Sequence, residues 1–254
     1  MLRSLQALTG YALNATDGKI GRCQDFLFDD QHWVLRYMVA DTARWLPGRR
    51  VLIYPRAVTR ADWQSRTIDV LLSKQQVEDA PALAEDQPVS RRYENRYLRY
   101  LGYGPYWIDT HAWGVAALPH DLPAAGDGAS ANEASSDIEK PEDCHLRSFN
   151  EIRGYRLDCH DDELFGSITD ALVDLTSWTL RYVVVATRRI LPGKEILVTP
   201  DLIGKLSYGQ RTMTVDLTTE QLRNCPRFDP QAPVYRGYEV THYDVYGRPT
   251  EADQ

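Results

Sequence analysis

The stretch Trp33-Val-Leu-Arg-Tyr-Met-Val-Ala40 returns further along the chain as Trp178-Thr-Leu-Arg-Tyr-Val-Val-Val185. Both stretches alternate in polarity and are rich in aromatic and β-branched residues, which is typical of a β-strand. The match continues without a gap from Gly21 and Gly166 to Tyr93 and Tyr238, at a constant offset of 145 residues, the difference between 33 and 178. Self-similarity over so long a period indicates two copies of one domain rather than a solenoid of short repeats.

The two copies, called repeat 1 and repeat 2 below, begin before this stretch. Leu8–Leu13 matches Ile152–Leu157 at an offset of 144, and one inserted residue within Asp161-Asp162-Glu163 then shifts the register. Asp17-Gly18 predicts a tight hairpin turn in repeat 1, because glycine tolerates a positive φ. The same turn in repeat 2 is one residue longer.

Each repeat reads as a series of short strands followed by a helix. The Ser73…Gln76 and Thr218…Gln221 pairs are capping boxes that predict the start of that helix. Many short strands separated by turns predict a small barrel or sandwich, so the fold class is mainly β. The predicted strands of repeat 1 are Leu5–Tyr11, Gly21–Asp29, Trp33–Ala40, Val51–Pro55 and Thr67–Leu72, with Glu151–Tyr155 as the opening strand of repeat 2.

Several repeated positions carry conspicuous residue types. We expect Gly21 and Gly166 to allow a bulge or a close backbone approach. Trp33 and Trp178 follow turns, where they would cap a barrel. Arg36 alternates with apolar neighbours, as does its equivalent Arg181, which predicts a solvent-facing guanidinium with a carboxylate partner.

Repeat 1 contains five short motifs in this order: Gly-Tyr-x-Leu, Asp-Gly-x-Ile-Gly-x-x-x-Asp-Phe-Leu-Phe-Asp, Trp-x-Leu-Arg-Tyr-x-Val, Leu-Pro-Gly-Arg and Val-Leu-Ile-x-Pro. This pattern resembles the PRC-barrel family. That family includes the cytoplasmic domain of the photosynthetic reaction-centre H subunit, and a related barrel lies in a bacterial ribosome maturation factor. The resemblance covers residues 5–80 and 149–225. It implies two six-stranded antiparallel barrels, each with a short C-terminal helix, that serve as docking modules without catalytic residues. The chain departs from the H subunit in having two barrels and no N-terminal membrane helix.

The two repeats and the segment between them divide the chain into three predicted regions. Residues 1–107 would form the first PRC-barrel with a Tyr/Arg-rich extension, residues 108–147 an acidic flexible linker, and residues 148–248 the second PRC-barrel with a Tyr-rich extension. The formal net charge is −7, and most of it comes from the stretch between His120 and His145. Residues 124–136 lack bulky apolar side chains, which is typical of a flexible linker.

The two extensions supply the candidate interface residues. We expect the interleaved Arg and Tyr residues to pack against the barrels or to exchange between them, but they can also form a protein-binding hot spot or stack on single-stranded bases. We expect the extensions to contribute to an intramolecular pairing of the two barrels. A near-neutral charge outside the linker disfavours nucleic acid as a partner. The candidates are Arg91, Tyr93, Tyr97, Tyr100, Tyr106, Trp107, Arg236, Tyr238, Tyr243 and Tyr246.

The sequence indicates no catalytic, cofactor-binding or metal-ligating residues. It holds no G-x-S-x-G, Walker A or H-E-x-x-H motif. The four cysteines, which form no C-x-x-C pair, are interpreted as reduced thiols, and the expected location is cytoplasmic. No apolar run is long enough for a transmembrane segment.

The leading hypothesis is a non-enzymatic tandem PRC-barrel protein. It would dock a protein partner of unknown identity or a membrane-associated complex, with a family-level link to photosynthetic electron transport. An RNA-binding ribosome-assembly factor is the first alternative. An enzyme with a site at the barrel–barrel junction is the second.

Overall fold

A computed structural model describes residues 2–42, 46, 49–81, 83, 89–108, 112–114, 116–122, 145–161, 163–187 and 194–230. The described chain is mainly β. The chain divides into two compact units. The repeat-1 unit holds residues 7–149 and 176–179, and the repeat-2 unit holds residues 1–6, 150–175 and 180–254.

The repeat-1 unit is built around one long strand, β3, of twelve residues. Its strands follow the order β5-β4-β3-β2-β7-β6, with β8 also paired to β3. The β2–β7 pair is parallel, and the other pairs are antiparallel. The elements are β2 (Ala12–Ala15), β3 (Gly18–Asp29), β4 (Val34–Asp41), β5 (Arg50–Ile53), β6 (Val58–Asp62), β7 (Thr67–Val70), α2 (Lys74–Asp79), α3 (Arg91–Tyr100) and β8 (Leu146–Ser148).

The repeat-2 unit has equivalent strands, but the counterpart of β3 is split in two. The resulting strands β10 and β11 belong to different sheets. One sheet has the order β10-β9-β15-β14, while β11 pairs with β1, and β12 pairs with β13. The elements are β1 (Leu2–Ser4), β9 (Arg156–Cys159), β10 (Leu164–Phe165), β11 (Ser167–Asp174), β12 (Thr179–Ala186), β13 (Glu195–Val198), β14 (Ile203–Ser207), β15 (Thr212–Val215) and α5 (Thr219–Asn224).

The predicted strands over Gly21–Asp29, Trp33–Ala40, Val51–Pro55 and Thr67–Leu72 are confirmed within a few residues at each end. Both capping boxes are confirmed, with Ser73 and Thr218 as the N-cap residues. The strand β6 and its counterpart β14 were not predicted, because their residues are partly exposed and carry little apolar alternation.

The two predicted opening strands are wrong. Leu5–Leu8 and Phe149–Ile152 form single-turn helices, α1 and α4, and the strands β2 and β9 begin only afterwards. Each helix is followed by a glycine in the left-handed region, Gly10 at φ 85° and Gly154 at φ 87°. Glycine at this position commonly ends a helix, so the chain turns there before it extends.

The expected linker, residues 108–147, contains ordered packing at both of its ends. Trp113 is 1% exposed, and Ala116 and Leu122 are also buried. Leu146 begins strand β8. The predicted linker was too broad because Trp113 covers a buried charge in the repeat-1 unit, as shown below. Residues 124–140, the central part of the linker prediction, lie outside the described residues.

Candidate functional site

The first Tyr/Arg extension is helix α3 and the segment after it, and it packs on its own unit. Ser90 caps the helix by accepting a hydrogen bond from the Tyr93 backbone N–H. Tyr97 is 1% exposed, and its hydroxyl donates to the Leu52 carbonyl of β5. The Tyr93 and Tyr97 rings stack with centroids 6.2 Å apart. These contacts attach α3 to the sheet of repeat 1.

The outer tyrosines of α3 hold the helix to the segment before it. The Tyr93 hydroxyl donates to the Pro81 carbonyl at 2.6 Å. The Tyr100 hydroxyl donates to the Gln76 carbonyl of α2 at 2.7 Å, although its side chain is 38% exposed. Of the candidate interface residues in the described part of this extension, Tyr100 is therefore the most accessible.

The extension contains a hydrogen-bonded network that is formed by Arg91, Glu94 and Tyr106. Glu94 is buried and accepts hydrogen bonds from the Arg91 guanidinium at 3.0 Å and from the Tyr106 hydroxyl at 2.6 Å. The Tyr37 hydroxyl of β4 donates to the same carboxylate at 3.0 Å. Trp107 packs edge-on to Tyr106, and the Arg91 guanidinium lies 4.5 Å from its ring centroid. The sequence pattern did not identify Glu94, since its burial depends on Tyr37 from a distant strand.

Arg36 lies in the same layer, and the expectation that it faces solvent is wrong. It is 1% exposed and donates to the Asp29 carboxylate at 2.7 Å, so the expected carboxylate partner is present but buried. Its guanidinium stacks on the Tyr106 ring at 3.7 Å and lies 5.0 Å from the Trp113 ring. The Ala112 carbonyl accepts a hydrogen bond from the Nη1 of Arg36. Arg36 is buried because the chain after α3 places two aromatic rings over it.

The ionisable groups of this layer have shifted pKa values with identifiable causes. Burial raises the pKa of Glu94, and the hydrogen bonds from its partners offset this effect only in part. For Asp29, burial acts in the same direction, but the charge and hydrogen bonds of Arg36 outweigh it and hold the pKa below its ordinary value. Burial also raises the pKa of Tyr37 and Tyr106. Hydrogen bonds join Tyr37 and Tyr106 to Glu94. Arg36 links Asp29 to the same layer by stacking on the Tyr106 ring, so the layer supports the packing of the extension.

The remaining candidate interface residues, Arg236, Tyr238, Tyr243 and Tyr246, lie outside the described residues.

A cleft of about 970 Å³ opens in the repeat-2 unit where the counterpart of β3 is split. The strands β10 and β11 meet at Gly166, which has a φ of 48°. Residues on both sides of this break line the cleft, together with residues from α5 and from the start of β13. Its charged lining residues are Arg153, Arg156, Arg223, Glu163 and Glu195.

The polar side chains of the cleft are partly fixed by their neighbours. Arg156 donates to the Leu164 carbonyl at 2.8 Å, and Arg223 lies 3.9 Å from the Glu163 carboxylate. The Thr169 hydroxyl lies 3.1 Å from a Glu195 carboxylate oxygen, to which it donates. Leu164 is 44% exposed at the rim. The cleft thus offers cations, anions, hydroxyls and an apolar side chain within one concave surface.

The pattern of charges that lines the cleft is specific to repeat 2, because three of its positions are uncharged in repeat 1 and two carry the opposite charge there. Arg153 and Arg156 correspond to Thr9 and Ala12 of repeat 1. The other three charged residues, Glu163, Glu195 and Arg223, correspond to Gly18, Arg50 and Glu78, respectively. The sequence signal was the one-residue insertion at Asp161-Asp162-Glu163, which was recognised as a change of turn length but not as the edge of a cleft.

No family model matches the chain, and no curated protein matches it.

The helices in the described part of the chain are too short and too polar to cross a membrane. The cysteines Cys23, Cys159 and Cys225 are buried, and burial raises the pKa of the Cys159 thiol to about 12. Within the ranges that the structure covers, no three His, Cys, Asp or Glu side chains are grouped as metal ligands.

Proposed function

We propose that the chain is a non-catalytic docking protein of the PRC-barrel type, in which the cleft of repeat 2 binds an extended segment of a protein partner. The observation that supports this proposal is the divergence of the charged cleft residues between two otherwise similar repeats. A duplicated fold retains the residues that its core requires, whereas a binding site is added to the fold by local change. All five charged residues that line the cleft differ in charge from their equivalents in repeat 1.

The break also leaves a short edge strand beside the cleft. β10 is the edge strand of its sheet and consists of Leu164 and Phe165. An extended peptide can add to such an edge through main-chain hydrogen bonds, and side-chain pockets then provide specificity. Leu164 supplies an apolar contact at the rim of the cleft.

Arginine predominates among the cations of the cleft, which indicates the chemistry of the partner segment. The planar guanidinium donates two parallel hydrogen bonds to a carboxylate. Arg153 and Arg223 stand on opposite sides of Gly166 in the chain and both line the cleft. We therefore expect the partner segment to carry a carboxylate beside an apolar side chain.

A site-specific photo-crosslinker tests this proposal in the full chain. A photoreactive residue replaces Leu164 in one variant and the equivalent exposed Lys19 of repeat 1 in the matched control. The expected result is one protein cross-linked at position 164 but not at position 19. Adding Arg223→Glu to the Leu164 variant should reduce the yield at least tenfold, because a repelled carboxylate would weaken docking. Equal yields at the two positions, or a yield that Arg223→Glu leaves unchanged, would contradict the proposal.

A further inference from the structure

Each repeat is preceded by a short segment of nearly identical sequence. Arm 1 is Leu2-Arg-Ser-Leu-Gln6 and arm 2 is Leu146-Arg-Ser-Phe-Asn150. In both arms the first three residues form a strand, β1 or β8, and the fourth residue begins a single-turn helix. The repeat therefore extends further towards the N-terminus than the match at Leu8 and Ile152.

The two arms pair with equivalent strands in an identical register. In arm 1, Leu2 lies opposite Asp174 and Ser4 lies opposite Leu172 of β11. In arm 2, the residues opposite are Asp29 and Leu27 of β3, which precede Asp174 and Leu172 by 145 positions. Two independent occurrences of one register indicate a specific recognition of the arm rather than a chance contact.

A serine hydroxyl and a half-buried carboxylate fix this register. The Ser148 hydroxyl donates to Asp25 at 2.6 Å, and the Ser4 hydroxyl donates to Asp170, the equivalent residue of repeat 2. The Gln6 backbone N–H donates to the other oxygen of Asp170 at 3.0 Å. The Asp170 carboxylate is held in place by the backbone N–H of the next residue, at 2.8 Å, as is that of Asp25.

Apolar side chains strengthen the attachment of arm 1. Leu2 packs against a buried cluster of the repeat-2 unit that includes Leu172 and Tyr182, and Leu5 is fully buried. The arm therefore combines strand pairing, a side-chain hydrogen bond and burial of leucine side chains.

Each arm pairs with a strand of the repeat to which it is not directly attached. Arm 1 is continuous with repeat 1 but pairs with β11 of the repeat-2 unit, whereas arm 2 is continuous with repeat 2 but pairs with β3 of the repeat-1 unit. Both accepting strands therefore receive the same Leu-Arg-Ser sequence from an arm attached to the other repeat. An arm from another molecule offers the same sequence and the same hydroxyl.

We propose that arm 1 is exchangeable between molecules, and that the β11 edge with Asp170 is a strand-docking site for arm 1 of a second copy of this chain. Exchange of identical elements is a low-cost route to a symmetric dimer. Within one chain the arm has an effective concentration of about millimolar order, so closure within the chain competes strongly with exchange. A variant that disfavours closure within the chain should reveal the exchange.

A pair of full-length charge variants tests this inference. Ser4→Asp places a carboxylate against Asp170, so the arm is repelled by its own acceptor. Asp170→Lys removes the acceptor for the serine hydroxyl in a second chain. Neither variant can form a matched contact by itself. In an equimolar mixture, the unaltered arm of the second chain matches the unaltered acceptor of the first, and the introduced carboxylate matches the introduced ammonium group.

Light scattering of the mixture should give twice the mass of the 29.0 kDa chain, while each variant alone stays monomeric. A chain that carries both substitutions is the matched control, because its arm and acceptor are complementary again and should close within one molecule. Circular dichroism establishes that the single variants are folded. A mixture that stays monomeric, although the variants are folded, would overturn the inference, as would a variant that dimerises equally well alone. If the single variants do not fold, the inference is tested with a synthetic peptide of residues 2–6, added to the wild-type chain at concentrations above the roughly millimolar effective concentration of the attached arm. Its binding should fall at least tenfold on Ser4→Ala within the peptide. Equal binding of the two peptides, or no binding of either, would overturn it.

Discussion

The two units start from one sequence pattern but use it differently. In the repeat-1 unit, β3 runs unbroken for twelve residues and pairs with β2, β4 and β8. In the repeat-2 unit, the same stretch is split at Gly166, and β10 and β11 belong to separate sheets. The unbroken strand accompanies a buried layer of charged and aromatic residues, whereas the split strand accompanies an open polar cleft. One sequence pattern thus supports a closed, buried arrangement of charges in one unit and an open, charged concave surface in the other.

The largest expected difference between the units concerns Arg36 and its equivalent Arg181. Arg36 is buried against Asp29, and Arg181 is exposed on β12. Removing one partner of a buried ion pair typically costs about 3–5 kcal/mol, because the other charge stays buried without compensation. Arg36→Ala should therefore lower the free energy of unfolding by about that amount, whereas Arg181→Ala should change it by less than about 0.5 kcal/mol. Urea denaturation of both variants measures this difference, and equal losses would show that the buried layer is not specific to repeat 1.

A second difference concerns the glycines at which β3 bends and its counterpart breaks. Gly21 has a φ of 141°, and a Cβ atom there would lie 2.0 Å from the Asp41 carbonyl oxygen. At Gly166, φ is 48° and the corresponding distance to the Ala186 carbonyl oxygen is 2.8 Å. Gly21→Ala should cost about 2–4 kcal/mol and Gly166→Ala about 1–2 kcal/mol, from backbone strain and steric overlap.

Thermal unfolding of the two glycine variants checks this order. The strand break at Gly166 leaves room for the neighbouring chain to shift, whereas the continuous strand at Gly21 does not. A larger loss for Gly166→Ala than for Gly21→Ala would mean that the break is the more constrained of the two sites.

These differences show which parts of the structure the sequence could predict. The strand over Trp33–Ala40, the capping boxes and the close approach at Gly21 depend on local patterns and on residue size, and both repeats display them. The burial of Arg36 depends on Tyr106 and Trp113, which are distant in sequence and belong to a region interpreted partly as linker. The cleft depends on how one inserted residue alters a sheet, which a turn-length argument does not describe. Local periodicity predicts strands and helices, but it does not predict which distant residues pack over them.

The buried layer of repeat 1 should also give the protein a distinctive pH dependence. Burial raises the pKa of Glu94 in the folded state, so the folded state binds this proton more tightly than the unfolded state does. The free energy of unfolding contributed by Glu94 therefore increases as the pH falls from neutrality towards the ordinary carboxyl pKa of about 4.3. Glu94→Gln cannot take up this proton, so wild type should gain stability relative to this variant over that interval.

Urea denaturation of both proteins between about pH 5 and pH 7 tests this dependence, since Asp29 stays ionised there. The pKa of Asp29 is lowered in the fold, so its contribution is lost only when the pH falls below its ordinary value of about 3.9. If the stability difference between wild type and Glu94→Gln does not change with pH, the carboxyl group is not protonated on burial.

The smallest expected effect concerns a turn that the two units share. Arg66 and Arg211 have φ values of 54° and 53°, in the region that favours glycine. Each guanidinium lies over a tyrosine ring, at 5.3 Å from Tyr11 for Arg66 and at 5.5 Å from Tyr155 for Arg211. Replacement by glycine relieves about 1–2 kcal/mol of backbone strain, but it also removes a cation–π contact of about 0.5–1 kcal/mol and increases the entropy of the unfolded chain by a similar free energy. Arg66→Gly and Arg211→Gly should therefore each change the free energy of unfolding by less than about 0.5 kcal/mol, and by the same amount within error. The turn has nearly the same φ in the two units, so the two changes in free energy of unfolding should agree in paired urea titrations. If they differ by more than about 1 kcal/mol, the break at Gly166 changes the stability of the rest of the repeat-2 unit.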